Sequence, residues 1–153
     1  MRLFNFVYPI KSLKYIFSNM KDNLSPFDSK NKWKDKVILI VEDNETSYFL
    51  LNEILEETGA QLLRAENGEE ALEVVKKRPE INLVIMDILL PVMNGIDATK
   101  QIKQIRKDLP VIAQTANAMS DDRSKYINAG CDDYIAKPIN LNEFMQIISR
   151  FLN

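Results

Sequence analysis

Residues 81–95 read INLVIMDILLPVMNG. An apolar run of strand length, rich in Val and Ile, ends abruptly in a carboxylate, Asp87. Continuous short runs of this kind suit strands buried on both faces, as in a parallel sheet. Pro91 and then the turn pair Asn94-Gly95 follow, leading into residues 96–107, where Ile96, Thr99 and Ile102 repeat at helical spacing.

The same unit recurs on either side. VILIV at 37–41, a weaker QLLRA at 61–65, LPVIA at 109–113 and DYIA at 133–136 read as strands. Between them lie segments of helical period: 44–58, stopping before Gly59; 68–78, stopping at Pro79; 120–129, polar with a weak apolar stripe, stopping at Gly130; and 141–152. Five strands alternating with five helices predict right-handed crossovers and a three-layer, doubly wound (βα)5 α/β domain with a parallel five-stranded sheet. In such sheets ligands bind outside the carboxyl ends of the strands.

Composition narrows the chemistry. The chain has 153 residues, 46% hydrophobic and 27% charged, enough for one domain with a real core. It contains no histidine, which excludes imidazole catalysis, histidine metal ligation and a phosphohistidine on this chain. Its one cysteine, Cys131, cannot build a disulfide framework or a thiolate metal site, and fits a cytoplasmic location. Any metal must therefore be held by oxygen, which favours a hard ion such as Mg2+. Charge is uneven: residues 1–36 carry eight basic against three acidic residues, and the remainder twelve against nineteen. This shift predicts an N-terminal extension and linker over 1–35 and a domain over 36–153. An acidic domain is a poor partner for nucleic acid.

The strand ends carry the polar groups. The first run is followed by Glu42-Asp43, the third by Asp87, the fourth by Gln114 and Thr115, and the fifth by Lys137-Pro138. Carboxylates gathered at one sheet edge repel and demand a cation. A lysine beside them pairs with an anion, and a threonine hydroxyl donates to one. Together these groups form a cradle for a phosphoryl group, with Asp87 as nucleophile. Taken singly each has a plainer role: Asp43 and Asn44 as helix caps, Thr115 as a strand residue, Lys137 as a solvated cation, Tyr134 as a core aromatic.

The text VILIVEDN, VIMDILLPVMNG, AQTANAM and GCDDYIAKP resembles the receiver domain of two-component response regulators over about residues 36–152, most like receivers of hybrid histidine kinases. The resemblance implies a flavodoxin-like strand order, 2-1-3-4-5. It implies Asp87 as phosphoacceptor, with Mg2+ held by Asp43, Glu42, Asp87 and the backbone carbonyl of Leu89. Thr115 contacts a phosphoryl oxygen and Lys137 pairs with it, while Tyr134 is the aromatic that turns inward as Thr115 moves. Lys137-Pro138 matches a cis peptide. The implied partner is a sensor histidine kinase or phosphotransfer protein, and the face of fourth helix, fifth strand and fifth helix is a further contact, a homodimer among its uses. Such a domain is no enzyme beyond its own phosphorylation and dephosphorylation.

Glu42 stands where many members carry aspartate, and Gln114 where an apolar residue is common. The resemblance implies that Leu89 and Asn117 flank the site; an apolar Leu89 cannot orient an attacking water, so slow phosphate loss is expected. Two other classes compete. An aspartate-nucleophile phosphatase needs a second aspartate two residues on, where Leu89 stands. A degenerate receiver used only for binding would not need the complete set of acids, Thr115 and Lys137. The sequence stops right after the last helix with no output domain, which suggests a stand-alone receiver or the receiver end of a hybrid kinase. The first residues, with Phe4, Phe6, Ile10 and Phe17 among Arg2, Lys11 and Lys14, read as an ordered extension or linker tail; an amphipathic membrane contact is the sharper, less favoured alternative.

Overall fold

The apolar runs become strands because parallel pairing buries both of their faces. The structure, a computed structural model, describes residues 30–116 and 120–153 together with Tyr15, Ser18 and Asn19. The readings of the basic arm and of Asn117 lie outside the described residues. In chain order the elements are β1 (Val37–Val41), α1 (Glu45–Glu56), β2 (Gln61–Ala65), α2 (Gly68–Lys77), β3 (Leu83–Asp87), α3 (Gly95–Ile105), β4 (Val111–Thr115), α4 (Ser120–Ala129), β5 (Asp133–Ala136) and α5 (Leu141–Leu152). The strands are all parallel, in the order β2-β1-β3-β4-β5, as expected. Among the described residues no helix is long and apolar enough to cross a membrane.

Two strands begin two residues later than their apolar runs. Pro110 has no N–H to give to a ladder, so β4 starts at Val111, whose N–H is taken by the Asp132 carboxylate at 2.8 Å. Asn82 is used at the sheet's lower edge: its N–H donates to the Val37 carbonyl and its side-chain oxygen accepts from the Val37 N–H, both at 2.8 Å. β3 therefore starts at Leu83 and carries its pairing through Asp87.

Asparagine caps four of the helices. Asn44, Asn67, Asn94 and Asn140 each accept from the amide three residues on, at Ser47, Glu70, Asp97 and Glu143. A short polar side chain in extended backbone satisfies one of the orphan amides there. These caps fix where the loops above the sheet turn into helices, and so fix the rim of the site.

The sheet divides the core. Val37, Leu39, Val41, Val84, Met86, Val111 and Ala113 pack on the side of α2, α3 and α4. Ile38, Ile40, Leu83, Ile85, Ile112 and Ile135 pack on the side of α1 and α5. The second layer is closed from below by Trp33, which is 2% exposed. Its indole N–H donates to the Asn153 side-chain oxygen at 3.1 Å, and its backbone N–H donates to the Thr58 carbonyl at 2.8 Å. The chain entering the domain is thus tied to the ends of both α1 and α5. Trp33→Ala should lower stability by about 3–5 kcal/mol, the usual cost of emptying a buried aromatic site, read as a fall in the urea midpoint.

Candidate functional site

Strand alternation decides which end groups meet. Side chains two apart share a sheet face, so Glu42 continues the line of Ile38 and Ile40, Asp87 that of Leu83 and Ile85, and Lys137 that of Ile135. All three emerge on the α1/α5 side at the carboxyl edge. β1 and β3 are neighbours, with Val41 opposite Met86, so Glu42 and Asp87 end adjacent strands.

The distances show a cluster. Lys137 Nζ donates to Glu42 Oε2 at 3.1 Å and to Asp87 Oδ2 at 3.0 Å. Single carboxylate oxygens of Glu42, Asp43 and Asp87 lie within 4.8 Å of one another. Glu42 is 1% and Asp87 6% exposed, while Asp43 faces solvent. The remaining oxygens are held by backbone: the Asn44 N–H donates to Glu42 Oε1 at 3.0 Å and the Leu89 N–H to Asp87 Oδ1 at 3.1 Å. Leu89 itself is 77% exposed.

Burial raises the Glu42 carboxyl above its ordinary value. The Asn44 N–H opposes that shift, the Asp87 charge adds to it, and Lys137 again opposes it. For Lys137, burial alone would lower the ammonium. The hydrogen bond to Asp87 and the charges of Glu42 and Asp87 outweigh it, so the group is held above its ordinary value. The donor set of three carboxylates, with a lysine compensating part of their charge, suits a small hard cation and offers no soft ligand.

Thr115 emerges on the opposite face, following Val111 and Ala113. Its hydroxyl oxygen lies 2.6 Å from the Tyr126 hydroxyl oxygen, and both residues are buried. The Tyr134 ring is 6.3 Å from that of Tyr126, centroid to centroid, with the Arg123 guanidinium carbon 5.8 Å from its centre. Tyr134 stands apart from the carboxylates and joins Thr115 through Tyr126. The Lys137 N–H donates to the Thr115 carbonyl at 2.8 Å, and Lys137-Pro138 is cis, as the resemblance implied.

The loop after Asp87 closes the rim. The Met93 N–H donates to the Pro91 carbonyl at 2.7 Å across Val92, whose φ is +65°. Such a three-residue turn is strained, more so for a β-branched residue. Gly95 begins α3 directly against the Asp87 carbonyl, where a Cβ would collide. Gln114, opposite Asp87 in the register, is fully buried with neither side-chain amide atom hydrogen-bonded among the described residues.

Two contributors escaped the sequence. Tyr126 sits in the polar helix α4, and its only signal was an aromatic three residues before Ala129 on an otherwise charged surface. Arg64 is the one charge in β2, which marks an edge strand but not what the charge touches.

The chain has relatives of known family. Residues 38–149 match the family model of the response regulator receiver domain, and the chain belongs to that family. It is 39% identical over 120 residues, 76% of this chain and 96% of the relative, to the polar-differentiation response regulator DivK of Brucella anthropi. Among solved structures, it resembles the co-crystal of the Saccharomyces cerevisiae histidine phosphotransfer protein Ypd1 and the receiver domain of its response regulator Ssk1. The TM-score is 0.73, with 32% identity over 77% of this chain and 89% of the other. The receiver domain of a Pseudomonas aeruginosa sensor histidine kinase, with a magnesium ion coordinated in its active site cleft, matches with TM-score 0.70 and 33% identity. It covers 76% of this chain and 97% of that one. The chain is accordingly a receiver domain of two-component signalling.

Lys137 gives the site a pH signature. Its ammonium is stabilised in the folded state, so its contribution is fully present below its unfolded value, near 10.5, and lost as pH rises through the higher folded value. Urea midpoints should fall more steeply above about pH 10.5 in the wild type than in Lys137→Met, which lacks the titrating group.

Proposed function

We propose that Asp87 accepts a phosphoryl group from a phosphohistidine of a sensor histidine kinase or phosphotransfer protein. The observation that carries this reading is the double hold on its carboxylate: Leu89 N–H on Oδ1 and Lys137 Nζ on Oδ2, beside the oxygens of Glu42 and Asp43. A carboxylate oxygen of Asp87 forms the bond to phosphorus as the bond from phosphorus to the donor's imidazole nitrogen breaks. The bonding pair leaves with the ring, which then takes up a proton. Lys137 moves its charge from the carboxylate pair toward the phosphoryl oxygens. Glu42, Asp43, Asp87 and the Leu89 carbonyl would hold Mg2+, which when bound offsets charge on the transferring group. That a similar receiver was crystallised with a histidine phosphotransfer protein, and another with magnesium, supports the assignment.

In the switching step Thr115 leaves Tyr126 for a phosphoryl oxygen, and Tyr134 fills the space released. This is a shift between two states, driven by contacts that only the phosphorylated form makes. The affected face is made of α4, β5 and α5, where Arg123 lies over Tyr134 and Arg150 pairs with Asp133 at 2.8 Å. A partner protein or a second copy of the chain is its occupant. The domain acts on no substrate besides its own Asp87.

Incubation with acetyl phosphate and Mg2+ should add one phosphoryl group to the intact mass. The gain should vanish in Asp87→Asn; persistence of the gain in that variant would exclude Asp87 as the acceptor. Absence of the gain in the wild type would leave a binding module only. Separately, millimolar Mg2+ should raise the melting temperature, because a cation that binds only the folded site stabilises it. The rise should be lost in Asp43→Asn, and an unchanged wild-type melting temperature would contradict a working metal site.

A further inference from the structure

One charged side chain outside the carboxylate–lysine cluster touches the backbone of both residues that leave β1. Arg64, opposite Ile40 in the register, points its Nε and Nη2 at the Glu42 carbonyl oxygen, each at 3.4 Å. Nη2 also lies 3.5 Å from the Asp43 carbonyl oxygen. The guanidinium is itself fixed. Nη1 is 2.8 Å from Glu45 Oε1 in the first turn of α1 and 3.5 Å from Glu66 Oε1, and the guanidinium carbon is 4.3 Å from the centre of the Tyr48 ring. The side chain is only 19% exposed.

We propose that Arg64 is a positioning residue for the cation site: it clips the 42–44 turn to the end of β2, so that Glu42 and Asp43 present their oxygens together. The inference rests on the reading that these carboxylates bind Mg2+. Glu42, Asp43 and Asp87 repel one another, and Asp43 is exposed with room to swing outward. The carbonyl contacts of Arg64 are longer than ideal hydrogen bonds, so neither holds the turn alone. Their strength comes from a planar fork that reaches two carbonyls while lying on an aromatic face and pairing with Glu45. A lysine would reproduce the charge but neither the fork nor the stacking.

Placement and charge predict opposite signs. A cation beside a metal site weakens metal binding by repulsion. Here Glu45 and Glu66 pair with that charge, which leaves placement as the larger effect. Mg2+ affinity is to be measured by isothermal titration on the full chain for wild type, Arg64→Ala and Arg64→Lys, with melting temperatures taken with and without Mg2+. Arg64→Ala should weaken binding about tenfold, as loss of a group that orients metal ligands does. Arg64→Lys should fold normally and recover only part of the loss. The melting-temperature increment given by Mg2+ should shrink in the same order, whereas a purely structural role would lower both temperatures equally. Binding that is unchanged or tighter in Arg64→Ala, with the wild type responding to Mg2+, overturns the positioning role and leaves the metal reading standing. A wild type that does not bind Mg2+ overturns both.

Discussion

Glu42 and Asp87 end neighbouring parallel strands on the same face of the sheet, and they share one ammonium. Without it, two nearly buried carboxylates would face each other with Asp43 a few ångströms away, a repulsion that a protein interior screens poorly. Lys137 comes from the end of β5, which is separated from β3 by β4. Two strand spacings amount to about 10 Å, so the bridge needs a long side chain. The bond from the Lys137 N–H to the Thr115 carbonyl continues the β4–β5 ladder and fixes where that side chain starts. Every other part of the site can be read as support for this contact: the Asn44 and Leu89 amides on the outer oxygens, Gly95 beneath Asp87, and Arg64 behind the 42–44 turn.

In the proposed function, the sheet separates the acceptor chemistry from its readout. Glu42, Asp87 and Lys137 lie over the α1/α5 layer, whereas Thr115, Tyr126 and Tyr134 belong to the layer under α2, α3 and α4. Thr115 is therefore the natural link. Its carbonyl is tied to the residue that bridges the carboxylates, and its hydroxyl meets the tyrosine that packs near Tyr134. The Tyr126 hydroxyl gives the Thr115 side chain a satisfied resting partner, so turning toward the acceptor means giving up a buried hydrogen bond. Gln114, adjacent to Thr115 but on the face of Asp87, lacks any such partner among the described residues.

The parts that were legible in the sequence are those in which one residue type has one physical use. VILIV must be buried on both faces, an asparagine before a helical segment caps it, and acids after apolar strands must gather at one edge. The strand starts were less legible, because Pro110 and Asn82 look continuous with their apolar runs although their backbone groups are otherwise committed. Trp33 was illegible for a different reason. It stands alone among Lys30, Lys32, Lys34 and Asp35, with no period to announce a buried face, and the core cluster it joins is built from distant segments, Ile54, Leu55 and Leu152 among them. Arg64 and Tyr126 act through contacts that only the strand order and the packing of α4 create.

Trp33 also bears on how the domain would respond to load. Its indole joins the residues just before β1 to Asn153, the residue that caps the end of α5, so the two ends of the fold are stitched together. Tension applied just before Trp33 would meet the bonds from Asn31 to Glu57 and from Trp33 to Thr58, as well as that stitch, before it reached β1. The strand edge carrying Glu42 and Asp87 lies at the other end of the sheet. Load entering beside Trp33 would thus be met at the end of the sheet opposite Glu42 and Asp87, which leaves the carboxylate edge mechanically insulated from it.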